Sequence, residues 1–363
     1  MKSKARVIAF YLPQFYPTPE NDEWWEPGFT EWTNVARAKP LFKGHYQPRI
    51  PRDLGFYDLR VPETREKQAQ LAREAGIEGF CYWHYWFGNG KRLLSDVFRE
   101  VVETGKPDFP FCLCWANHSW YAKTWDPNIP DKLLIEQTYP GKEDYIAHFN
   151  EMLPAFKDKR YMKTSDGKLI FGIFAPYDFK NFQEFKDVWN QLAINNGLVG
   201  FEFFAFVQGM GLDKLHNDIY DRIVYDAIYD TYKSSSELSF SRLINSVKFR
   251  MKKFVKRANY KDYVEAAILK FKEFSNVTPC IYPMFDHSPR SANRSIILHN
   301  NSPKLWGELC RKTEQIVQSN KDKDNLIFIK AWNEWGEGNY MEPDSKFGKA
   351  YINEAGNYFN SSN

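Results

Sequence analysis

The sequence predicts an α/β protein, a (β/α)8 TIM barrel with long loop insertions after strands 1 and 6. Three observations carry the prediction. Short apolar, β-rich runs alternate with helix-periodic segments, the pattern of parallel βαβ units. Eight such runs can be read, and one more helix follows the last, as barrel closure requires. Polar and aromatic residues gather just past the C-terminal ends of these runs, where a barrel keeps its site, and the strand starts carry no such clustering. A doubly wound sheet is the competing arrangement. Its Gly-rich turn is absent, because the first run is followed by Tyr11-Leu12-Pro13-Gln14-Phe15.

Ala5 to Leu12 is the first strand and stops at Pro13. A polar, aromatic loop runs to about Leu59 with Trp24, Trp25, Trp32 and Tyr46. Pro62 opens a helix that ends at Gly76, the pairing of N-terminal proline with C-terminal glycine. Ile77 to Tyr85 is the second strand, and Lys91 to Gly105 a helix with Leu93, Leu94, Val97, Val101 and Val102 on one face. Phe109 to Ala116 is the third strand, before an aromatic loop with Trp120 and Trp125. Glu143 to Phe156 and Asn181 to Asn196 are helical around a fourth strand, Lys168 to Phe174. Gly200 to Val207, Arg222 to Tyr225 and Val277 to Met284 are strands five to seven. Pro303 to Gln318 is helical, Leu326 to Ala331 is the eighth strand, and Lys346 to Phe359 is the closing helix. Residues 1–363 are thus read as one catalytic barrel with a basic helical insertion at about 230–276. In that insertion Phe240, Leu243, Ile244, Val247, Met251, Phe254 and Val255 recur at helical spacing beside Lys248, Arg250, Lys252, Lys253, Lys256 and Arg257. A solvated helix on the barrel is the plain reading, and peripheral contact with an anionic membrane is the sharper one.

Composition narrows the function. Charged residues at 26% and hydrophobic ones at 43% describe a globular chain with ample core. A net charge of +3 gives no case for nucleic acid. Aromatics reach 17%, with 12 Trp, many beside polar residues in loops. Aromatic faces with amides and acids suit sugar rings, although an aromatic core would give the same count. Five cysteines, mostly in apolar runs and without zinc spacing, imply buried free thiols and a reducing, cytoplasmic setting. Met1 to Arg6 leads straight into a strand, so no signal peptide is expected.

The chemistry concentrates after the eighth strand, in Trp332-Asn333-Glu334-Trp335-Gly336-Glu337-Gly338. Glycosidic bonds are broken by two carboxyl groups, and Glu334 and Glu337 supply such a pair. Neighbouring Trp332 and Trp335 would desolvate one carboxyl and raise its pKa, as a general acid needs. The bland alternative is a salt-bridged loop near Lys330 or Lys346. Gly336 and Gly338 are expected to let the loop turn sharply. The other strand ends nominate Tyr11, Gln14, Tyr82, His84, Trp86, Trp115, Asn117, Tyr282 and Asp286, with Trp332, Asn333 and Trp335, as substrate-binding residues. A hydrogen-bonded core histidine is as good a reading of His84, and Asp226 or Asp286 could cap loops. Arg290 and Arg294 could meet an acidic sugar or phosphate, although solvated arginines are commoner. His84 and His118 lie on different loops, so no metal is expected, and without a phosphate loop no nucleotide cofactor is expected.

Several of these segments carry a resemblance. Y-L-P-Q-F at Tyr11 to Phe15, G-F-x-E-W at Gly28 to Trp32, G-F-C-Y-W-H-Y-W-F at Gly79 to Phe87, W-A-N at Trp115 to Asn117 and W-N-E-W-x-E-G at Trp332 to Gly338 resemble the WbsX-like family over nearly the whole chain. That family is described as glycosyltransferases of lipopolysaccharide or capsule synthesis. It is similar in turn to glycoside hydrolase family 99, the endo-α-mannosidases and endomannanases, which are (β/α)8 barrels. The resemblance implies that Glu334 acts as a base on the substrate 2-hydroxyl, giving a 1,2-anhydro-sugar with overall retention. It implies that Glu337 protonates the leaving group and then activates water. Two positions depart: Gly336 stands where family 99 has histidine, and His118-Ser119 replaces the Glu-Asn of many WbsX-like chains. The function expected is a retaining, carbohydrate-active enzyme on an α-mannoside-type glycan, oligosaccharide or polysaccharide and lipid-linked in a biosynthetic setting. A glycosyltransferase of O-antigen or capsule, a non-catalytic glycan-binding barrel and a peripheral membrane scaffold are the alternatives.

Overall fold

The alternation of strand and helix closes on itself. A computed structural model describes residues 5–122, 131–215, 219–234, 255–320 and 324–360. In it Arg6–Tyr11, Gly79–His84, Phe111–Trp115, Leu169–Ile173, Phe201–Gln208, Arg222–Asp226, Thr278–Ile281 and Leu326–Ile329 form a closed parallel barrel. They follow one another around the ring in chain order, and the eighth returns to the first through Arg6 opposite Leu326 and Ala9 opposite Ile329. Most of these strands are buried on both faces, which is why they read as continuous apolar runs rather than alternating ones. The interior is packed with aromatic rings. Phe10 stacks on Trp83 with centroids 4.6 Å apart, and Phe206 and Phe328 each stand 5.4 Å from Phe10. Gly172 makes this possible, since a Cβ there would lie 2.2 Å from the Phe204 ring.

The outer helices follow their sequence signals. Pro62–Glu74 opens on its proline, and Ser302 caps Pro303–Ser319 by accepting from the Leu305 amide at 3.3 Å. The helix expected from Lys91 begins only at Asp96, and Leu93 and Leu94 pack in the loop before it. A 3-10 turn, Gly209–Lys214, follows the fifth strand where other units carry an α-helix. The long loop after the first strand holds two short helices, Pro19–Trp24 and Glu31–Arg37, begun by Thr18 and by a Thr30–Thr33 capping box.

Two expectations need correction or relocation. The strand starts do carry polar clustering: Arg6 pairs with Glu78 at 2.8 Å and with Asp324 at 3.3 Å, and Arg222 pairs with Glu202 at 2.5 Å. Ion pairs there tie neighbouring strands at the face opposite the site, a stabilising role. Most of the basic amphipathic helix expected over 240–257 lies outside the described residues. Its last positions, Lys256 and Arg257, belong to a short strand, Lys256–Asn259, paired in parallel with Ile296–His299. Asn259 then caps Tyr260–Glu273, which buries Tyr260, Tyr263, Val264, Ala267 and Phe271 as the crossover helix to the seventh strand. All five cysteines are buried and unpaired. No described helix is long and apolar enough to cross a membrane.

Candidate active site

The loop after the eighth strand is built by main-chain clasps. Asn333 accepts from the Leu12 amide at 2.7 Å and donates to its carbonyl at 3.0 Å, joining the ends of strands eight and one. Asn333–Glu334 pairs antiparallel with Asn339–Tyr340, and the 3-10 turn Trp335–Glu337 lies between them. Gly338 closes that turn at φ +51°, in the left-handed region, with its Cα against Asp286. The Asp286 amide donates to the Glu337 carbonyl at 2.7 Å. Trp335 stacks on Tyr340 with centroids 3.7 Å apart and donates its indole N–H to Glu342 at 2.6 Å. The two acids are therefore carried on a rigid hairpin.

Their carboxylates converge on one guanidinium. Arg290 donates from Nη2 to Glu334 at 3.1 Å, from Nη1 to Glu337 at 2.8 Å and from Nε to Glu31 at 3.1 Å. Lys330, at the end of the eighth strand, reaches Glu337 at 3.5 Å and lies over the Tyr282 ring at 5.6 Å. This arrangement separates the proton affinities of the pair. Burial and the charge of Glu337 push Glu334 up to about 7. Burial would raise Glu337 as well, but Lys330 and Arg290 outweigh it and hold that carboxyl well below the usual range. At neutral pH the pair thus keeps roughly half a proton, and a full one only below about 7, where it rests on Glu334. Burial, then Glu334, raises the Tyr85 phenol, which stays neutral.

Gly336 acts differently from the expectation. Its φ is not positive; a Cβ there would lie 2.1 Å from Glu31 Oε2 and 2.9 Å from Arg290 Nε. The missing side chain is the room in which Glu31 and Arg290 meet.

A cleft of about 610 Å³ opens over these groups. Gln14, Glu31, His118, Ser119, His287, Arg290, Lys330, Glu334 and Glu337 are among its polar lining, and Trp24, Trp25, Trp83, Tyr85, Trp120 and Tyr121 among its aromatic walls. Of the residues expected there, Glu334, Glu337 and Gln14 line the cleft. The others do not. Tyr11 donates to Gln68 at 2.7 Å and packs on Tyr82 outside the sheet. His84 lies 2.7 Å from His148, and Trp86 stacks on His148 while donating to Asp144 at 3.0 Å. Trp115 donates to the Trp86 carbonyl, and Asn117 is spent on Ala175 and Tyr139. Tyr282 donates to Asp226 at 2.6 Å, and Asp286 is enclosed by His45, Gln47 and Ser288. Trp332, Asn333 and Trp335 are buried beneath the hairpin.

The reason is strand parity. Successive side chains point to opposite faces. In Gly79–Phe87, Trp83 and Tyr85 face the cleft, so Tyr82, His84 and Trp86 face the helices. Glu31 escapes a search of strand ends because it belongs to none, yet it lies inside the Gly28 to Trp32 segment as a lone acid among aromatics, and His287 directly follows the nominated Asp286.

Comparison with known proteins places the chain by family and by fold. The family described as "Glycosyltransferase WbsX" matches residues 7–355. Two curated relatives from Xanthomonas campestris pv. campestris, strains B100 and ATCC 33913, both called "Uncharacterized protein WxcX", are 34% identical over 351 residues. The match takes in 96% of this chain and 48% of theirs, so the chain spans about half the length of those relatives. Among solved structures, a "Glycoside hydrolase-like protein" is similar with TM-score 0.58 at 14% identity, covering 99% of this chain and 95% of the other. The GH99 endo-alpha-mannosidase of Bacteroides thetaiotaomicron gives TM-score 0.54 at 13% identity over 98% and 96%. At such identities the likeness is one of fold, whereas the family match runs over nearly the whole chain, and the chain belongs to the WbsX family.

Proposed function

We propose that this protein is a retaining enzyme that cleaves glycosidic bonds, with Glu334 and Glu337 as its reacting acids and an α-mannoside-type glycan as substrate. One observation carries the reading. A buried carboxylate, Glu334, and a partly buried one, Glu337, share a guanidinium at the floor of an aromatic cleft, with their proton affinities set apart. Paired acids with separated proton affinities are what glycoside cleavage asks for. Both line the cleft, which speaks against a binding-only barrel.

The roles follow the resemblance. Glu334 would take the proton of the sugar 2-hydroxyl as O2 attacks the anomeric carbon, while Glu337 protonates the departing oxygen. Glu337 would then deprotonate the water that opens the 1,2-anhydro-sugar, and Glu334 would return its proton to O2. The resting proton lies on Glu334, the reverse of what the first step uses. The productive complex therefore needs that proton on Glu337, which substrate favours by weakening the hold of Lys330 and Arg290. We assign the enzyme to surface-polysaccharide metabolism in the cytoplasm, on a glycan that is lipid-linked.

The test is a screen of the purified chain against α-linked mannosides and the surface polysaccharide of the producing organism. Glu334→Gln and Glu337→Gln run beside it, each expected to lose roughly 100-fold or more. Turnover that survives both substitutions sinks the proposal.

A further inference from the structure

We infer that the sugar held at the catalytic centre is uncharged, and that the bond broken there joins it to another sugar rather than to a diphosphate. The inference rests on the proposed function, whose site it describes more closely.

Its ground is the charge census of the cleft. The cationic side chains among its described lining residues are Arg290 and Lys330. Arg290 is already engaged by three carboxylates, at 3.1 Å to Glu31, 3.1 Å to Glu334 and 2.8 Å to Glu337. Lys330 is buried, lies 3.5 Å from Glu337 and also answers to the charge of Asp226 behind it. His118 and His287 are held neutral by burial. Three acids thus face two cations, and the proton partly retained by the pair offsets only part of the excess negative charge. A carboxylate or a diphosphate entering here finds both described cations, Arg290 and Lys330, already engaged and adds like charge to the cleft. Like charges brought together at a buried site cost enough for roughly a hundredfold discrimination. The walls point the same way. Trp24, Trp25, Trp83, Tyr85, Trp120 and Tyr121 offer ring faces to apolar C–H surfaces, and Gln14 and His287 offer hydrogen bonds to hydroxyls. Arginine normally recognises a diphosphate by a bidentate fork, and here carboxylates occupy that fork.

The full chain is titrated with inorganic pyrophosphate, GDP-mannose and UDP-glucose, and tryptophan fluorescence reports on the cleft. No saturable response is expected up to about 1 mM, the weak end of specific recognition. Glu31→Gln/Glu337→Gln, checked for folding by circular dichroism, frees the guanidinium and is expected to bind pyrophosphate at least about tenfold more tightly than wild type. A glycan array pairing neutral oligosaccharides with their C6-oxidised uronates is expected to retain the neutral member. Micromolar nucleotide-sugar or pyrophosphate binding to the wild type that Arg290→Gln abolishes would overturn the inference. So would a uronate retained as well as its neutral counterpart. Nucleotide binding that survives Arg290→Gln lies elsewhere and leaves the inference standing. The pyrophosphate result needs no turnover, so it is independent of the Glu334→Gln and Glu337→Gln assays that decide the proposed function.

Discussion

Gly336→Ala is the smallest change that tests how the cleft is built. The new Cβ would sit 2.1 Å from Glu31 Oε2 and 2.9 Å from Arg290 Nε. Non-bonded carbon contacts are comfortable only near ~3.5 Å, so Glu31 must retreat by about 1 Å or more. That movement breaks its 3.1 Å bond to Arg290. Glu31 is buried while Arg290 keeps about a quarter of its side chain in solvent, so the pair is partly screened. Overpacking of this kind typically costs about 1–3 kcal/mol. The larger consequence falls on activity. Arg290 is the common anchor of Glu334 and Glu337, and a displacement near ~1 Å at such a group can cost about 100-fold. Urea unfolding measures the first effect and kcat/KM on the substrate identified by the screen measures the second. Glu31→Ala removes the colliding carboxylate, so the double variant should be non-additive by at least ~0.5 kcal/mol. A Gly336→Ala protein with wild-type stability and wild-type kcat/KM would refute the claim that this glycine exists to admit the Glu31–Arg290 pair.

Four further outcomes follow from the same geometry. On the proposed mechanism the acid pair is active when it holds one proton, so kcat/KM should fall about tenfold per unit as pH rises above about 7, the value to which Glu334 is pushed; a flat alkaline limb to about pH 9 would contradict this. Ser295 donates to the Ala292 carbonyl at 2.5 Å and Ser291 to the His287 carbonyl at 3.0 Å, so His287 Nδ1 donates to Ser291 Oγ at 2.6 Å and Nε2 is left as an acceptor on the cleft. His287→Gln should accordingly keep most activity, and His287→Phe should lose roughly tenfold, as steady-state kinetics would register. Glu342 accepts from Tyr57 at 2.8 Å, Gln68 at 2.6 Å and Trp335 at 2.6 Å, so Glu342→Leu strands three buried donors and should cost about 3–5 kcal/mol by urea unfolding. Burial raises Glu342 to about 7, and with Glu334 it contributes stability that is full below about 4.3, the unfolded value, and lost as pH rises through about 7; Glu342→Gln should flatten that loss in melts across the window.

The fold was legible because βα alternation survives any error in detail, and eight strand runs return as eight barrel strands. The acid pair was legible because two carboxylates directly after an apolar strand need a cleft or a counter-charge to receive them. The substrate-binding set was not, and the cause is specific. A strand of a parallel barrel is buried on both faces, so Tyr82, Trp83, His84 and Tyr85 look alike in hydropathy. Parity alone decides which of them meet the cleft, and a shift of one residue exchanges the faces. Phe10 and Trp83 stacked inside the barrel set that parity, but their contact spans distant segments and no local pattern announces it. Asp286 is hidden for another reason. Its partners His45 and Gln47 come from the long first loop, whose path over the seventh strand end exists only in three dimensions.

That path also bears on the tension between a family described as glycosyltransferases and a cleft equipped like that of a hydrolase. On the proposed mechanism the first step ends with a 1,2-anhydro-sugar and the leaving glycan still in the cleft. Only the second step distinguishes the two activities, because Glu337 can deprotonate either water or the hydroxyl of an entering sugar. The residues that decide between them are not the acids but the walls. Trp24 and Trp25 belong to the first loop and Trp120 to the third, and as walls of the cleft they would, on the proposed mechanism, govern how much water and how much sugar reaches Glu337. Wall residues that stack an acceptor raise its local concentration and favour transfer without altering the acid pair. Trp25 is about half exposed at the rim, so Trp25→Ala should leave the fold intact. It should shift products from transfer toward hydrolysis when excess acceptor glycan is supplied. An unchanged product ratio would mean that acceptor choice is made elsewhere.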